Sequence, residues 1–222
     1  MEEGQRSGSV GRYGILLVTL VAAYLVSAVT STHWGGAIHV AFVAAIGLLS
    51  LRNARLRPRV ARLAGAIVVA TAIVAGICLT SDNKDAQGAG DIWAAAMLLF
   101  TVLIIVDRVV RLSRVTAQSL YAALSAYMLI GLMFTEYFGA LNVLASGPFF
   151  ADGQPANNQT LQYFSFTTLT TLGYGDFTAA GSFGRAVAVL EAMTGQVFLA
   201  TLVARLVSAY GTAIRRPPPP EE

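Results

Sequence analysis

Two glycines one residue apart, Gly173 and Gly175, flank Tyr174 in the run Thr170-Thr171-Leu172-Gly173-Tyr174-Gly175-Asp176. Glycine takes positive φ without steric cost, so a short run that carries it can turn a row of backbone carbonyls toward one axis. Such a row can replace the water shell of a dehydrated potassium ion. The rest of the chain offers little competing chemistry. It has no His/Glu metal pair, nucleophile elbow or phosphate loop, so neither an enzyme nor a cofactor is expected. His33 and His39 lie six residues apart and read as interfacial side chains, not as a metal site.

The elements that must position this run are apolar. The chain has 222 residues, 55% hydrophobic and 12% charged, with mean hydropathy +0.63. A soluble domain carries about a quarter charged residues. The apolar residues fall into six blocks, at 13–30, 36–51, 62–80, 91–107, 117–135 and 184–208. A helix needs about 20 residues to cross the hydrocarbon. The pattern therefore predicts an all-α membrane protein with six transmembrane helices. A further apolar stretch at 160–170, too short to cross, ends at the glycine run. A short helix followed by irregular backbone reads as a re-entrant loop.

Charge placement sets the orientation. Fourteen of the fifteen basic residues are arginine, and most cluster beside the spans: Arg6 and Arg12, five between 52 and 62, Arg108, Arg111 and Arg114, then Arg215 and Arg216. Six spans with both termini cytoplasmic place all of these inside, as the positive-inside rule requires. Asp82, Asp85, Asp91, Glu136, Asp152 and Asp176 fall on the other side with the glycine run. The localisation expected is the plasma membrane, multi-pass. Arginines beside apolar spans give no support to nucleic-acid binding. The first block is longer than a signal-peptide core of about 7–15 residues and is expected to be a retained helix. Cys78 reads as a small residue within a span. The domain plan is a cytoplasmic N-terminus (1–12), a four-helix membrane domain (13–107), an interfacial linker (108–116), a pore domain (117–210) and a Pro-rich cytoplasmic tail (211–222).

Residues 161–211 resemble the pore module of the potassium channel superfamily: pore helix, selectivity filter, inner helix. That family's filter reads Thr-Val-Gly-Tyr-Gly-Asp, and this chain has Thr171-Leu172-Gly173-Tyr174-Gly175-Asp176. The six-block layout resembles voltage-gated-type channels by span count alone. The resemblance implies a homotetramer in a lipid bilayer, with K+ as the permeant ion. It implies ion sites from the carbonyls of Thr171, Leu172, Gly173 and Tyr174 and from the Thr171 hydroxyl, with Gly175 and Asp176 completing the filter (171–176).

Supporting residues follow from the same resemblance. Tyr174 should point away from the axis and brace the filter. Tyr163 and Phe164 occupy the family's aromatic positions on the pore helix, and Phe164 cannot donate a hydrogen bond. Thr167 stands where the family has an acid that pairs with Asp176, and Glu191 is the nearest substitute. Glu191 is expected either to bond pore-helix or filter backbone or to sit solvated near the interface. Thr167, Thr168, Thr170 and Thr171 end the pore helix, whose negative end favours a cation beyond it. In the inner helix (184–208), Gly195 matches a hinge glycine, and a close-packing role is equally open. Arg185 matches a basic residue at the start of that helix, and Arg205 near its inner end is expected to snorkel to the cytoplasm.

Arg108, Arg111 and Arg114 are spaced by three, as in a voltage-sensing helix. They follow an uncharged run of fifteen residues, 92–106, that nearly reaches the inner interface at 1.5 Å per residue. Charges already at the edge of the field collect little of the roughly 2.3 kcal/mol per 100 mV that a full crossing yields. Weak or absent voltage gating is expected. Two alternatives to a potassium-selective channel are a poorly selective cation channel and a non-conducting regulatory or scaffold subunit.

Overall fold

The computed structural model describes residues 7–29, 65, 69–70, 73–74, 76–77, 83–111 and 116–214. The described residues form five helices: α1 (Ser7–Val29), α2 (Lys84–Arg111), α3 (Ala117–Leu144), α4 (Asn158–Leu169) and α5 (Ser182–Ile214). Among the described residues three segments are long and apolar enough to cross a membrane: Lys84–Asp107, Ala117–Leu144 and Ser182–Ser208. The apolar part of α1, Tyr13–Ala28, is shorter. These helices fall on the expected spans at 13–30, 91–107, 117–135 and 184–208. The spans expected at 36–51 and 62–80 lie largely outside the described residues, as do the Arg-rich link between them, His33, His39, Cys78, residues 112–115 and the tail from 215. The helix α2 runs unbroken through Arg111, so the first residues of the expected linker form its last turn.

The helix α3 is the hub. Thr116 caps its start reciprocally with Ser119: the Ser119 amide donates to Thr116 Oγ1 at 3.3 Å, and the Thr116 amide donates to Ser119 Oγ at 2.8 Å. Such a box satisfies two of the amides that a helix start leaves open. Ala122, Ala123 and Ala126 keep this face thin, and α2 lies along it with Leu98, Val102 and Ile105 buried. Leu16 and Leu20 of α1 join the same core. Small residues at such a seam let helix backbones approach closely, which is what holds helices together in lipid. Hydroxyls inside the helices are satisfied locally: Thr101, Ser125 and Thr135 each donate to the carbonyl four residues back. That removes the cost of an unpaired donor at membrane depth.

The short helix α4 docks between α3 and α5. Asn157 caps it with Thr160, whose amide donates to Asn157 Oδ1 at 3.0 Å. The tip of α1 reaches its outer face: Gln159 donates to the Ala28 carbonyl at 2.9 Å, and the rings of Tyr24 and Phe166 lie 4.7 Å apart.

Candidate functional site

The helix α4 ends in a turn that sets the direction of everything after it. The Leu172 amide donates to the Thr167 carbonyl at 2.8 Å, and the Thr171 amide to the Thr168 carbonyl at 2.9 Å. This pair of bonds is a Schellman cap, which needs one residue in the left-handed region. Thr171 is that residue, with φ 58°, and no other non-glycine among the described residues has positive φ. Glycine is the usual occupant, because a Cβ there crowds the backbone. Gly173 follows with φ 50° and Gly175 with φ 80°, while Leu172 and Tyr174 between them do not share the positive sign. In a β-strand successive carbonyls point to opposite sides; alternation in the sign of φ turns them toward the same side. Segment 171–175 thus alternates in the sign of φ, positive at Thr171, Gly173 and Gly175.

The last carbonyls of α4 are not bare. Thr167, Thr168, Leu169 and Thr170 each accept a bond from within the chain: two amides, the Thr171 amide, the Tyr127 hydroxyl at 3.2 Å and the Thr171 hydroxyl at 2.7 Å. What the helix end offers beyond itself is its dipole, not free oxygens.

Behind the inner end of the segment the packing is close. A Cβ on Gly195 would come within 2.2 Å of the Leu169 carbonyl oxygen, so α5 can lie here only because that Cβ is missing. Gly195 therefore has a close-approach role in this structure. Gly131 of α3 lies against the Phe166 ring in the same way, and its carbonyl accepts from Ser165 Oγ at 2.7 Å. Ser165 Oγ also lies 2.6 Å from Oε1 of Glu191, which is fully buried. One serine hydroxyl thus joins α3, α4 and α5. Glu191 meets a side chain of α4, not its backbone and not Asp176, and it is buried instead of solvated. Gln196 of α5 donates from Nε2 to Thr171 Oγ1 at 3.1 Å.

The outer end is held differently. Phe138, Phe149, Phe150, Leu161 and Phe164 form a second buried cluster with Ala179 and Val187. Phe150 is fully buried in it, with ring centroids 5.0 Å from Phe149, 5.5 Å from Phe164 and 4.9 Å from Phe177. Phe164 needs no donor here, because its support is edge-on aromatic packing. The segment leaving the glycines is clasped by backbone: Ala151 donates to Thr178 at 2.9 Å and Ala180 to Phe149 at 2.8 Å. Arg185 Nε donates to the Ala179 carbonyl at 2.8 Å, and Gln154 to the Asp176 carbonyl at 3.1 Å. The Tyr163 ring packs against Phe177, and hydrogen bonding toward the nearby Asp176 carboxylate is the first cause that holds its phenol above the usual range. The Thr167 hydroxyl turns back to the Phe164 carbonyl at 3.0 Å, so it does not serve Asp176. Thr168 lies in the last turn of α4.

The two large side chains of the segment are mostly exposed within their own chain. Leu172 is 55% exposed and Tyr174 is 70% exposed. The structure thus brings Thr171, Gly195, Glu191, Tyr163, Phe164 and Asp176 around one segment and leaves Tyr174 outside. The sequence reading did not single out Ser165, Tyr127, Gly131 or Gln196. Gln196 alone carried a signal, as a polar residue inside an apolar span.

Residues 139–211 match a family model described as an ion channel. The matched stretch runs from the end of α3 through α4, the glycine segment and nearly all of α5. No curated protein and no solved structure matches the chain. The match, the helical architecture and the apolar spans support an ion channel within a multi-pass membrane protein.

Proposed function

We propose that the protein is a potassium-selective channel in which four copies surround one axis. In this reading α4 is the re-entrant pore helix, 171–176 the filter and α5 the inner helix. The helices α1 and α2 stand outside the outer helix α3, and the expected total of six spans is part of this proposal. The observation that carries the reading is the alternation of φ sign at Thr171, Gly173 and Gly175 directly after the cap of α4. Carbonyls on one side of a single strand enclose nothing; four strands make a cage in which peptide oxygens replace the hydration shell. The exposed Leu172 and Tyr174 side chains support assembly, since neighbouring copies would bury them. So does α5, whose apolar span is only 17% buried in its own chain.

The test is flux from liposomes holding the purified protein, with potassium and sodium gradients compared and barium added as blocker. The expected result is barium-sensitive flux that favours potassium, from a particle whose mass is four times that of one chain. Equal potassium and sodium flux would instead establish the poorly selective channel. That second reading is favoured by Thr167, whose hydroxyl is used within α4 and gives Asp176 no partner. Absence of any flux from a tetramer would leave the non-conducting subunit. Voltage is not expected to drive opening, because Arg108 and Arg111 come at the end of α2, after its apolar span. A steep conductance–voltage relation in the same membranes would overturn that part.

A further inference from the structure

We infer that Gln196 is a positioning residue for the innermost ion site, acting through the hydroxyl of Thr171. The inference rests on the channel reading above and assigns a role within the proposed path.

Proton counting fixes the direction of the contact. Thr171 Oγ1 has one proton, and it goes to the Thr170 carbonyl at 2.7 Å. Toward Gln196 the hydroxyl can only accept, so the amide nitrogen faces it, at 3.1 Å. A hydroxyl oxygen has two lone pairs. Gln196 takes one, and the other remains for a cation. With a donor and an acceptor both engaged, the Thr171 side chain is locked in one rotamer.

The backbone gives a second, independent reason to look here. Thr171 occupies the left-handed position of the Schellman cap, with φ 58°. Glycine would make the same cap without strain, and a β-branched residue is among the worst choices for it. The capping bonds use only the backbone of this residue. A hydroxyl retained at a strained position therefore has work apart from the cap, and its contact across to α5 is with Gln196.

The contact is also held in register. Gly195, the residue before Gln196, lets α5 lie directly against the Leu169 carbonyl. Tyr127 fixes that same carbonyl from α3. The height of Gln196 relative to Thr171 is thus set by close approach on both sides of α4. Polar residues within membrane spans face the protein interior or water, and a filter mouth satisfies both. In a tetramer four such amides would ring the inner end of the filter.

The experiment uses the full-length protein in liposomes and reads barium block of potassium flux. Barium has nearly the size of potassium with twice the charge, so it reports the oxygen ligands sensitively. Gln196→Leu and Gln196→Met both remove the donor, and the second keeps the side-chain length. Each is expected to raise the half-blocking barium concentration about tenfold, the change that loss of one hydrogen bond of ordinary net strength produces. In a Thr171→Val background, which keeps the branch and removes the hydroxyl, Gln196→Met is expected to change nothing further. Potassium-dependent thermal stabilisation in detergent gives a readout without conduction, and the Gln196 variants should lose most of it. Wild-type block in both Gln196 variants, or an equal further loss in the Thr171→Val background, would overturn the inference. Wild-type liposomes without potassium flux would instead refute the channel reading beneath it.

Discussion

The two ends of the segment 171–176 are supported by opposite means. The outer end leans on bulk: Phe138, Phe149, Phe150, Phe164 and Phe177 stack edge to face, and one clasp of backbone bonds closes the return segment. The inner end leans on closeness: two glycines, Gly131 and Gly195, bring α3 and α5 onto α4, and single hydroxyls bridge what remains. Bulk packing is strong and tolerant, since rings can shift by fractions of an ångström without losing contact area. A close backbone approach has no slack, because interiors are already filled to crystal-like density. The comparison implies that the outer support secures the fold, whereas the inner support sets the positions of atoms that an ion would meet.

The largest effect should come from the outer end. Phe150 is fully buried and touches three other rings. Phe150→Ala is expected to cost about 3–5 kcal/mol, the usual range for deleting a buried phenyl group. Thermal unfolding in detergent measures it. Protein that survives at low temperature should keep its preference for potassium over sodium. If selectivity disappeared while stability barely moved, the division between the two ends would be wrong.

The inner end should show the reverse balance. Gly195→Ala puts a Cβ within 2.2 Å of the Leu169 carbonyl oxygen, and the obstacle is backbone, not a side chain that can swing aside. Overpacking of this kind costs about 1–3 kcal/mol, less than the loss at Phe150. The displacement of α5, however, separates Gln196 from Thr171, so flux and barium block should suffer more than unfolding temperature. A fully active Gly195→Ala channel would mean that α5 stands away from α4 in the conducting state. Gly195 would then be a pivot, and the close approach would belong to a closed state.

The sequence carried unequal information about these two ends. The apolar blocks located the helices α1, α2, α3 and α5, because crossing lipid demands an apolar run whatever the packing, but each helix runs six to nine residues past its block at one end. The glycines at 173 and 175 were readable as positive-φ positions, since no other residue takes that backbone so cheaply. Thr171 was not readable in that way: a threonine argues against left-handed backbone, and only the paired bonds to Thr167 and Thr168 reveal it. Ser165 gave no signal either, because a serine hydroxyl in a helix usually bonds its own backbone, and Tyr127 read as one more ring in an apolar span. Whether Glu191 would meet Asp176 depended on which face of α5 turns toward α4, and an apolar span with exposed residues nearly all round carries little periodicity to decide that. Phe164 looked like a weakened brace by residue type. Its packing against Phe150 depends on the loop at 149–150, which no local pattern ties to α4.

The smallest expected effect tests the one place where the two kinds of support meet. Tyr163 packs its ring against Phe177, with centroids 5.6 Å apart, and its hydroxyl is under the influence of Asp176 at the end of the glycine segment. Tyr163→Phe keeps the ring and removes the hydroxyl, so the aromatic cluster should survive and unfolding temperature should hardly change. The pH profile separates the variants. The phenol is held above its ordinary value of 10.0, first by hydrogen bonding toward Asp176, so the folded state retains this proton longer than the unfolded one. A group of this kind contributes its full stabilisation below about pH 10 and loses it as pH rises through the raised value. Wild-type protein should therefore show an alkaline fall in potassium flux beginning above pH 10 as phenolate forms beside the carboxylate, and Tyr163→Phe should lack it. If both proteins declined together, the outer mouth would be held by rings and backbone alone, and Asp176 would owe its position to the Gln154 bond and not to Tyr163.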